Sequence, residues 1–218
     1  MIDNKKFFEK YKQQFGPFST EQFNGLQRLI EYINTDKHIT DSRWVAYILA
    51  TIYHECARTW QPIKEKGHRE YFIKRYGSQT KVGKSLGNDT PEEGAIYHGR
   101  AYVQTTGESN YEMAEKVLRS EYPEVVERFE KRTGKKFDLT AGDQPNDMAD
   151  PDNLLDAEIA YYAMSVSVRK GLYTGVGLGR FINGAKCDFI NARKVINGLD
   201  CAAAVADYAA KFLTCLQD

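Results

Sequence analysis

The sequence predicts a mainly α domain with a minor β element, an α+β chain, on three observations. Apolar residues recur at helical spacing over most of the chain, and Ser, Thr or Asp start signals precede those runs. A polar, Gly-punctuated stretch over residues 61–107 interrupts them. At 218 residues, 42% of them hydrophobic and 12% aromatic, the chain can bury one sizeable core. It is therefore read as a single domain over residues 1–218, with 61–107 as a loop-rich lobe.

Taken in order, "FFEKYKQQF" is an amphipathic helix, and "STEQFNGLQRLIEYIN" is a second, capped by Ser19 or Thr20. Its apolar positions are Phe23, Leu26, Leu29, Ile30 and Ile33. "TDSRWVAYILATIYHECARTW" opens on Thr40 or Asp41 and is the most apolar helix. Within the polar stretch only "YFIKRYG" is strongly patterned, and "GRAYVQTTG" reads as a short strand or extended turn. "SNYEMAEKVL" and "YPEVVERFEKRTG" are further helices. "QPNDMADPDNLLDAEIAYYAMSVSVRKG" is a turn-rich entry to a long helix that buries Leu154, Leu155, Ile159, Tyr162 and Met164. "CDFINARKVING" and "DCAAAVADYAAKFLTCL" close the chain as helices.

Composition narrows the function classes. Thirty basic and thirty acidic residues cancel, so the chain offers no global field to nucleic acid or anionic membranes. No stretch approaches 18 apolar residues and the N-terminus has no apolar leader segment, which predicts a soluble chain without stable membrane insertion. Cys56, Cys187, Cys201 and Cys215 form no C-x-x-C, and a reducing compartment at synthesis is expected. Cys56 reads as a small buried hydrophobe. "GVGLGRFING" lacks the strand before it and the Lys-Ser/Thr after it that a phosphate loop needs. "DQPNDMADPDN" lacks the Gly and terminal Glu of a calcium loop and reads as a turn and capping region.

His54-Glu55 looks like half a zinc site, but the second ligand of that motif belongs at i+4, where Arg58 stands. His38, His68 and His98 show no paired spacing, so neither metal nor cofactor is expected. Trp44, Ile48, Ile52 and Glu55 advance by four, four and three residues and share one helical face. Glu55 closes that apolar stripe, where burial disfavours the anion and keeps a carboxyl protonated, as a general acid requires. The alternative is an ion pair with Arg58 or Lys64 at the helix end. Pro62 ends the helix and turns the chain, which makes Glu65 the nearest carboxylate able to face Glu55. Glu70, Asp89, Glu92 and Glu93 share the region and remain alternatives, the last two also explained by the helix start Asp89-Thr90-Pro91.

In "YHGRAYVQTTGESNY", Gly99 permits close backbone approach and Arg100 can hold a carboxylate. Alternation puts Tyr102, Gln104 and Thr106 on one side of an extended segment, and Asn110 and Tyr111 follow a Gly turn. Such amides and hydroxyls suit a water or a sugar hydroxyl; an ordinary hairpin with a polar face is the plainer reading.

"YHE" at the end of an apolar helix, "GRAYVQTTGESNY", "QPNDMADPDNLLDAEIAYYAM" and the two "ING" triplets occur in this order from about residue 20 onward. Together they resemble the family 19 chitinase and chitinase-like lysozyme group, above all bacteriophage and prophage endolysins. The resemblance implies a lysozyme-like helical bundle with a small β-hairpin or loop lobe flanking a cleft. It implies a cofactor-free, bacteriolytic glycoside hydrolase that cuts the glycan strand of peptidoglycan with two carboxylates and inversion. Chitin is the alternative polymer, and a non-catalytic wall-binding module the alternative of another class. In the resemblance Glu55 matches the general acid and Glu65 the second carboxylate. Thr106 matches the residue that positions water or substrate. Gln104, Asn110 and Tyr111 match substrate-lining positions, with Arg100 grouped beside them. Asn197 matches the cleft asparagine, with Arg193 supporting its loop. Ala101 replaces the usual glycine of G-R-G, Thr105 stands where an apolar residue is common, and no arginine pair follows "ING". These departures point away from chitin. The family further implies a monomer, made in the bacterial cytoplasm and released through a holin to act on the cell wall.

Overall fold

The computed structural model describes residues 2–140 and 149–217. The front of the expected turn and capping run, residues 143–148, lies outside the described residues. The chain divides into two compact units, Met1–Gln61 with Ser165–Asp218, and Pro62–Met164. Among the described residues no helix is long and apolar enough to cross a membrane.

The first unit is built on α1 (Asn4–Phe15), α2 (Thr20–Thr35), α3 (Ser42–Glu55) and the C-terminal helix Ala202–Leu216. Each of the first three starts behind an oxygen-bearing cap. Asp3 accepts from Lys6 N, Ser19 and Gln22 cap each other's backbone, and Asp41 accepts from Arg43 N. Every α3 residue from Val45 to Tyr53 is buried, as expected of a helix apolar all round. The C-terminal helix packs along α3, and α1 packs on the C-terminal helix. Their meeting point is aromatic: Phe15 stacks on Phe212 at 4.4 Å, and Tyr53 and Phe212 lie 5.6 and 5.7 Å from Trp60. Trp60 has no exposed surface. A Cβ on Gly25 would lie 2.6 Å from the Trp60 carbonyl oxygen, so glycine there admits the turn that follows α3.

In the second unit the stretch expected as loop contains three short helices, α4 (Arg69–Tyr76), α5 (Lys81–Ser85) and α6 (Glu93–Ile96). His68 and Thr80 cap the first two, accepting from Tyr71 N and Gly83 N. Gly94 lets α6 approach α4: a Cβ there would sit 2.5 Å from Gly77 N. α7 (Glu108–Glu121) and α8 (Pro123–Thr133) follow, the latter with Pro at its first position and a left-handed Gly134 behind it.

Two expected helices come out broken. The long helix through Leu154 is a 3-10 turn, Pro151–Leu155, followed by α9 (Ala157–Lys170), because the Asp156 carboxylate accepts from Glu158 N and Ile159 N and restarts the helix. Leu155 is accordingly half-exposed, whereas Leu154, Ile159, Tyr162 and Met164 are buried. "CDFINARKVING" is α10 (Phe189–Ala192) and a 3-10 turn, Arg193–Val195, which leads to α11 (Ala202–Leu216).

The β element also differs. Over 99–107 there is one antiparallel bridge, Arg100 to Thr105, closing a turn in which Ala101 (φ 73°) and Gln104 (φ 55°) are left-handed. Strand alternation fails across such a turn, so Tyr102 enters the core while Gln104 and Thr106 stay half-buried. The paired strands are β1 (Ile182–Asn183) and β2 (Lys186–Cys187), inside and just after the glycine-rich segment.

Candidate functional site

Glu55 is the last residue of α3, and its helical face is as expected: Ile48 and Ile52 are fully buried and Trp44 half-buried. The apolar stripe is only half of its setting. Arg193 Nη1 donates to Glu55 Oε1 at 2.6 Å, and the Arg193 side chain is 2% exposed against 19% for that of Glu55. Arg193 Nε donates to the Asp200 carbonyl oxygen at 2.9 Å, so one side chain holds both Glu55 and the loop after Asn197. The ion-pair partners expected from sequence are engaged elsewhere: Arg58 lies over the Tyr53 ring at 5.4 Å, and Lys64 meets Asp152 at 2.8 Å. Immediately after Glu55 the chain turns through three left-handed non-glycine residues, Ala57, Arg58 and Trp60. Backbone of that kind is costly and is kept where surrounding packing over-determines it, here by the buried Trp60.

Glu65 lies in extended chain. Ile63 N donates to the Ala101 carbonyl oxygen at 3.2 Å and Glu65 N to that of Gly99 at 2.8 Å. The Glu65 carboxylate accepts from Tyr76 Oη at 2.9 Å and from Gly99 N at 3.2 Å. Burial pushes the Tyr76 hydroxyl up, and its hydrogen bond to Glu65 pushes the same way, so it remains a donor. A Cβ on Gly99 would lie 2.6 Å from Gln104 Oε1, 3.2 Å from Glu65 Oε2 and 3.3 Å from Thr106 Oγ1. Glu65, Gln104 and Thr106 therefore gather around one glycine, which admits them by having no side chain. Gln104 Nε2 is anchored on the Ile63 carbonyl oxygen at 3.1 Å, and Thr106 Oγ1 on that of Gln104 at 2.8 Å. A carboxylate, an amide oxygen and a hydroxyl so arranged can accept from a water or a sugar hydroxyl.

The other expected residues divide. Asn110 is half-buried and donates to the Thr106 carbonyl oxygen at 2.8 Å, beside this group. Asn197 is exposed, in the loop that Arg193 holds. Tyr111 has no exposed surface and Arg100 only 4%, so both stand behind the segment rather than line it. Tyr111 Oη donates to the His98 carbonyl oxygen at 2.7 Å, and Arg100 Nη1 donates to Tyr111 Oη at 2.9 Å. The carboxylate that Arg100 holds is Asp152, at 2.6 Å from Nε. His98 stacks on Phe72 at 4.2 Å, with Nδ1 2.7 Å from the Ala95 carbonyl oxygen, and burial holds it below its ordinary value.

Of the alternatives to Glu65, Glu70 is exposed beside His68, Asp89 and Glu92 are exposed, and Glu93, the first residue of α6, accepts from Thr90 N at 3.1 Å. Three contributors had no usable sequence signal: Tyr76, Asp152, and Arg193 as the partner of Glu55. Each acts across a separation at which no local spacing rule operates.

The helical content, the minor β element and the order of elements define the mainly α, lysozyme-like chitinase fold expected from the sequence. Among solved structures the chain is similar to chitinase C from Streptomyces griseus HUT6037, at TM-score 0.52 and 15% identity, covering 99% of this chain and 92% of that one. A mutant of chitinase C is similar over the same shares, at TM-score 0.46 and 14% identity. Likeness at these identities is a likeness of fold. No family model and no curated protein matches the sequence.

Proposed function

We propose that the chain is a glycoside hydrolase that cleaves the glycan strand of peptidoglycan, as endolysins do. The observation that carries this reading is the gathering of Glu65, Gln104 and Thr106 on Gly99, in a chain with the fold of chitinase C. In the proposed reaction the protonated form of Glu55 gives its proton to the glycosidic oxygen as the bond to the anomeric carbon breaks, and the carboxylate left behind is the form that pairs with Arg193. Glu65 takes a proton from water as the water oxygen bonds to that carbon. Thr106 and Gln104 orient the water, and Arg193 fixes the Glu55 carboxyl. Attack from the face opposite the leaving group inverts the anomeric centre. The chemistry calls for no metal or cofactor, since both proton transfers are made by carboxyl groups.

Peptidoglycan is favoured over chitin by Ala101, Thr105 and the missing arginine pair. The name of the similar structure, chitinase C, favours the second reading, a chitinase acting on N-acetylglucosamine polymers. The proposal includes a monomer made in the bacterial cytoplasm and released to the wall with a holin. Turnover of purified peptidoglycan and of chitin oligomers, with mass analysis of the new ends, separates the two polymers. Glu55→Gln is expected to lower turnover by about 10²–10⁴-fold while wall binding persists. Unchanged lysis in that variant would remove Glu55 from the mechanism. Absence of lysis by the parent protein, with binding retained, would leave a wall-binding module.

A further inference from the structure

Asp152 lies far from Glu65 in sequence, in the 3-10 turn Pro151–Leu155, yet its carboxylate meets the immediate neighbours of the Glu65–Gly99 contact. Lys64 Nζ donates to Asp152 Oδ1 and Oδ2 at 2.9 and 2.8 Å, and Arg100 Nε donates to Oδ1 at 2.6 Å. Lys64 precedes Glu65; Arg100 follows Gly99, whose N–H donates to Glu65 and whose carbonyl oxygen accepts from it. Consecutive side chains of an extended segment point to opposite sides, so Lys64 reaches Asp152 while Glu65 reaches Tyr76 and Gly99. Arg100 cannot easily move: it is 4% exposed, and its Nη1 also donates to Ile96 and His98 carbonyl oxygens and to Tyr111 Oη. The Asp152 side chain is 44% exposed, and its backbone is held by the cap of the 3-10 turn, its N–H donating to Asp150 Oδ1 at 3.1 Å.

We infer that Asp152 is a positioning residue for Glu65, its carboxylate latching together the two segments on which Glu65 meets Gly99, Gln104 and Thr106. The latch joins one immobile cation, Arg100, to one on a long flexible stem, Lys64, so loss of the carboxylate releases mainly the Glu65 segment. Burial alone would raise the Asp152 carboxyl, but the hydrogen bonds from Lys64 and Arg100 outweigh it and hold the group below the usual carboxylate range. The carboxylate is therefore charged wherever the proposed hydrolysis runs near neutrality.

This inference rests on Glu65 as the base of the proposed hydrolase, and its test has an arm independent of activity. Asp152→Asn keeps the size of the side chain but removes the charge that gathers two cations. In the full chain, amide exchange at Gly99 is expected to quicken about tenfold or more in Asp152→Asn, while exchange in α8 is unchanged. Hydrolysis of peptidoglycan is expected to show kcat lowered about 10–100-fold with KM within about twofold, the pattern of lost positioning. Asp152→Glu is expected to restore part of kcat. Arg132→Gln, which breaks the pairs of Arg132 with Asp156 and Glu158, supplies the comparison for an ion-pair loss away from Glu65. Parent-like exchange at Gly99 in Asp152→Asn would overturn the latch, whether or not the parent hydrolyses glycan. So would an equal fall of kcat in Arg132→Gln. Quickened exchange with an inactive parent would sustain the latch and remove only the hydrolase reading.

Discussion

Glu55 ends a helix of 14 residues and meets a buried guanidinium, whereas Glu65 lies in extended chain and meets an amide and a phenol. In the first region a charge answers a charge, and the arginine has almost no water to fall back on. In the second, neutral donors and a missing side chain shape the surroundings of the carboxylate. A setting made by charge fails when the charge is deleted. A setting made by shape fails when an atom is added.

The largest expected effect is on the charged side. Glu55→Ala leaves Arg193 buried without its carboxylate, and breaking such a pair from one side costs about 3 kcal/mol, the low end because Glu55 keeps some exposure. For a chain of this size that is a fall in Tm of about 6–12 °C. Glu65→Ala removes hydrogen bonds from neutral donors to a carboxylate and is expected to cost about 2 kcal/mol, or about 4–8 °C. Thermal melts of the two variants at pH 7 measure the difference directly. Equal falls would break the comparison and show that Arg193 finds another acceptor.

Gly99→Ala applies the opposite operation. Its Cβ lands 2.6 Å from Gln104 Oε1, the end of a flexible side chain, which can swing aside. The expected stability loss is therefore about 1 kcal/mol, the small end for overpacking. Displaced Gln104 and crowded Glu65 and Thr106 should lower the proposed hydrolysis about 10–100-fold. Paired melts and turnover measurements check this, and a variant that keeps parent turnover would show that these oxygens need not gather on Gly99.

The two regions also differed in how far the sequence disclosed them. The Trp44-Ile48-Ile52-Glu55 stripe was legible because helical periodicity is a local rule, and the structure keeps α3 intact to Glu55. The partner of Glu55 was not, because Arg193 lies 138 residues away in sequence and arrives through a 3-10 turn. Around Gly99 the residue types pointed to a close approach to the backbone, and Gln104, Glu65 and Thr106 make one. A turn was one of the two forms expected there, but alternation does not hold across left-handed Ala101 and Gln104, so Tyr102 goes to the core while Gln104 and Thr106 stay together. Arg100 holds a carboxylate as expected, whereas Tyr111, matched to a substrate-lining position by resemblance alone, is buried, because a polar tip in the sequence says nothing about whether its partners are buried.

An effect confined to one end of the pH range concerns the border of the second region, where like charges gather instead of opposite ones. Glu108 opens α7 two residues after Thr106, and burial, then Glu93, Glu112 and Asp89, raise its carboxyl to about 7. An unfolded glutamate titrates near pH 4.3, so between that value and about 7 the folded chain binds more protons than the unfolded one. Stability must then fall as pH rises through this window, and the full cost is present above it. Glu108→Gln abolishes the titration. It is expected to match the parent at pH 4 and to exceed it at pH 8 by about 1 kcal/mol, the shift being discounted for partial exposure, or by about 2–4 °C in Tm. Melts of both proteins across that range read the effect as a gap that opens with pH. A constant gap would assign it to packing. A gap that opens the other way would mean that Glu108 is paired with a cation, as Asp152 is.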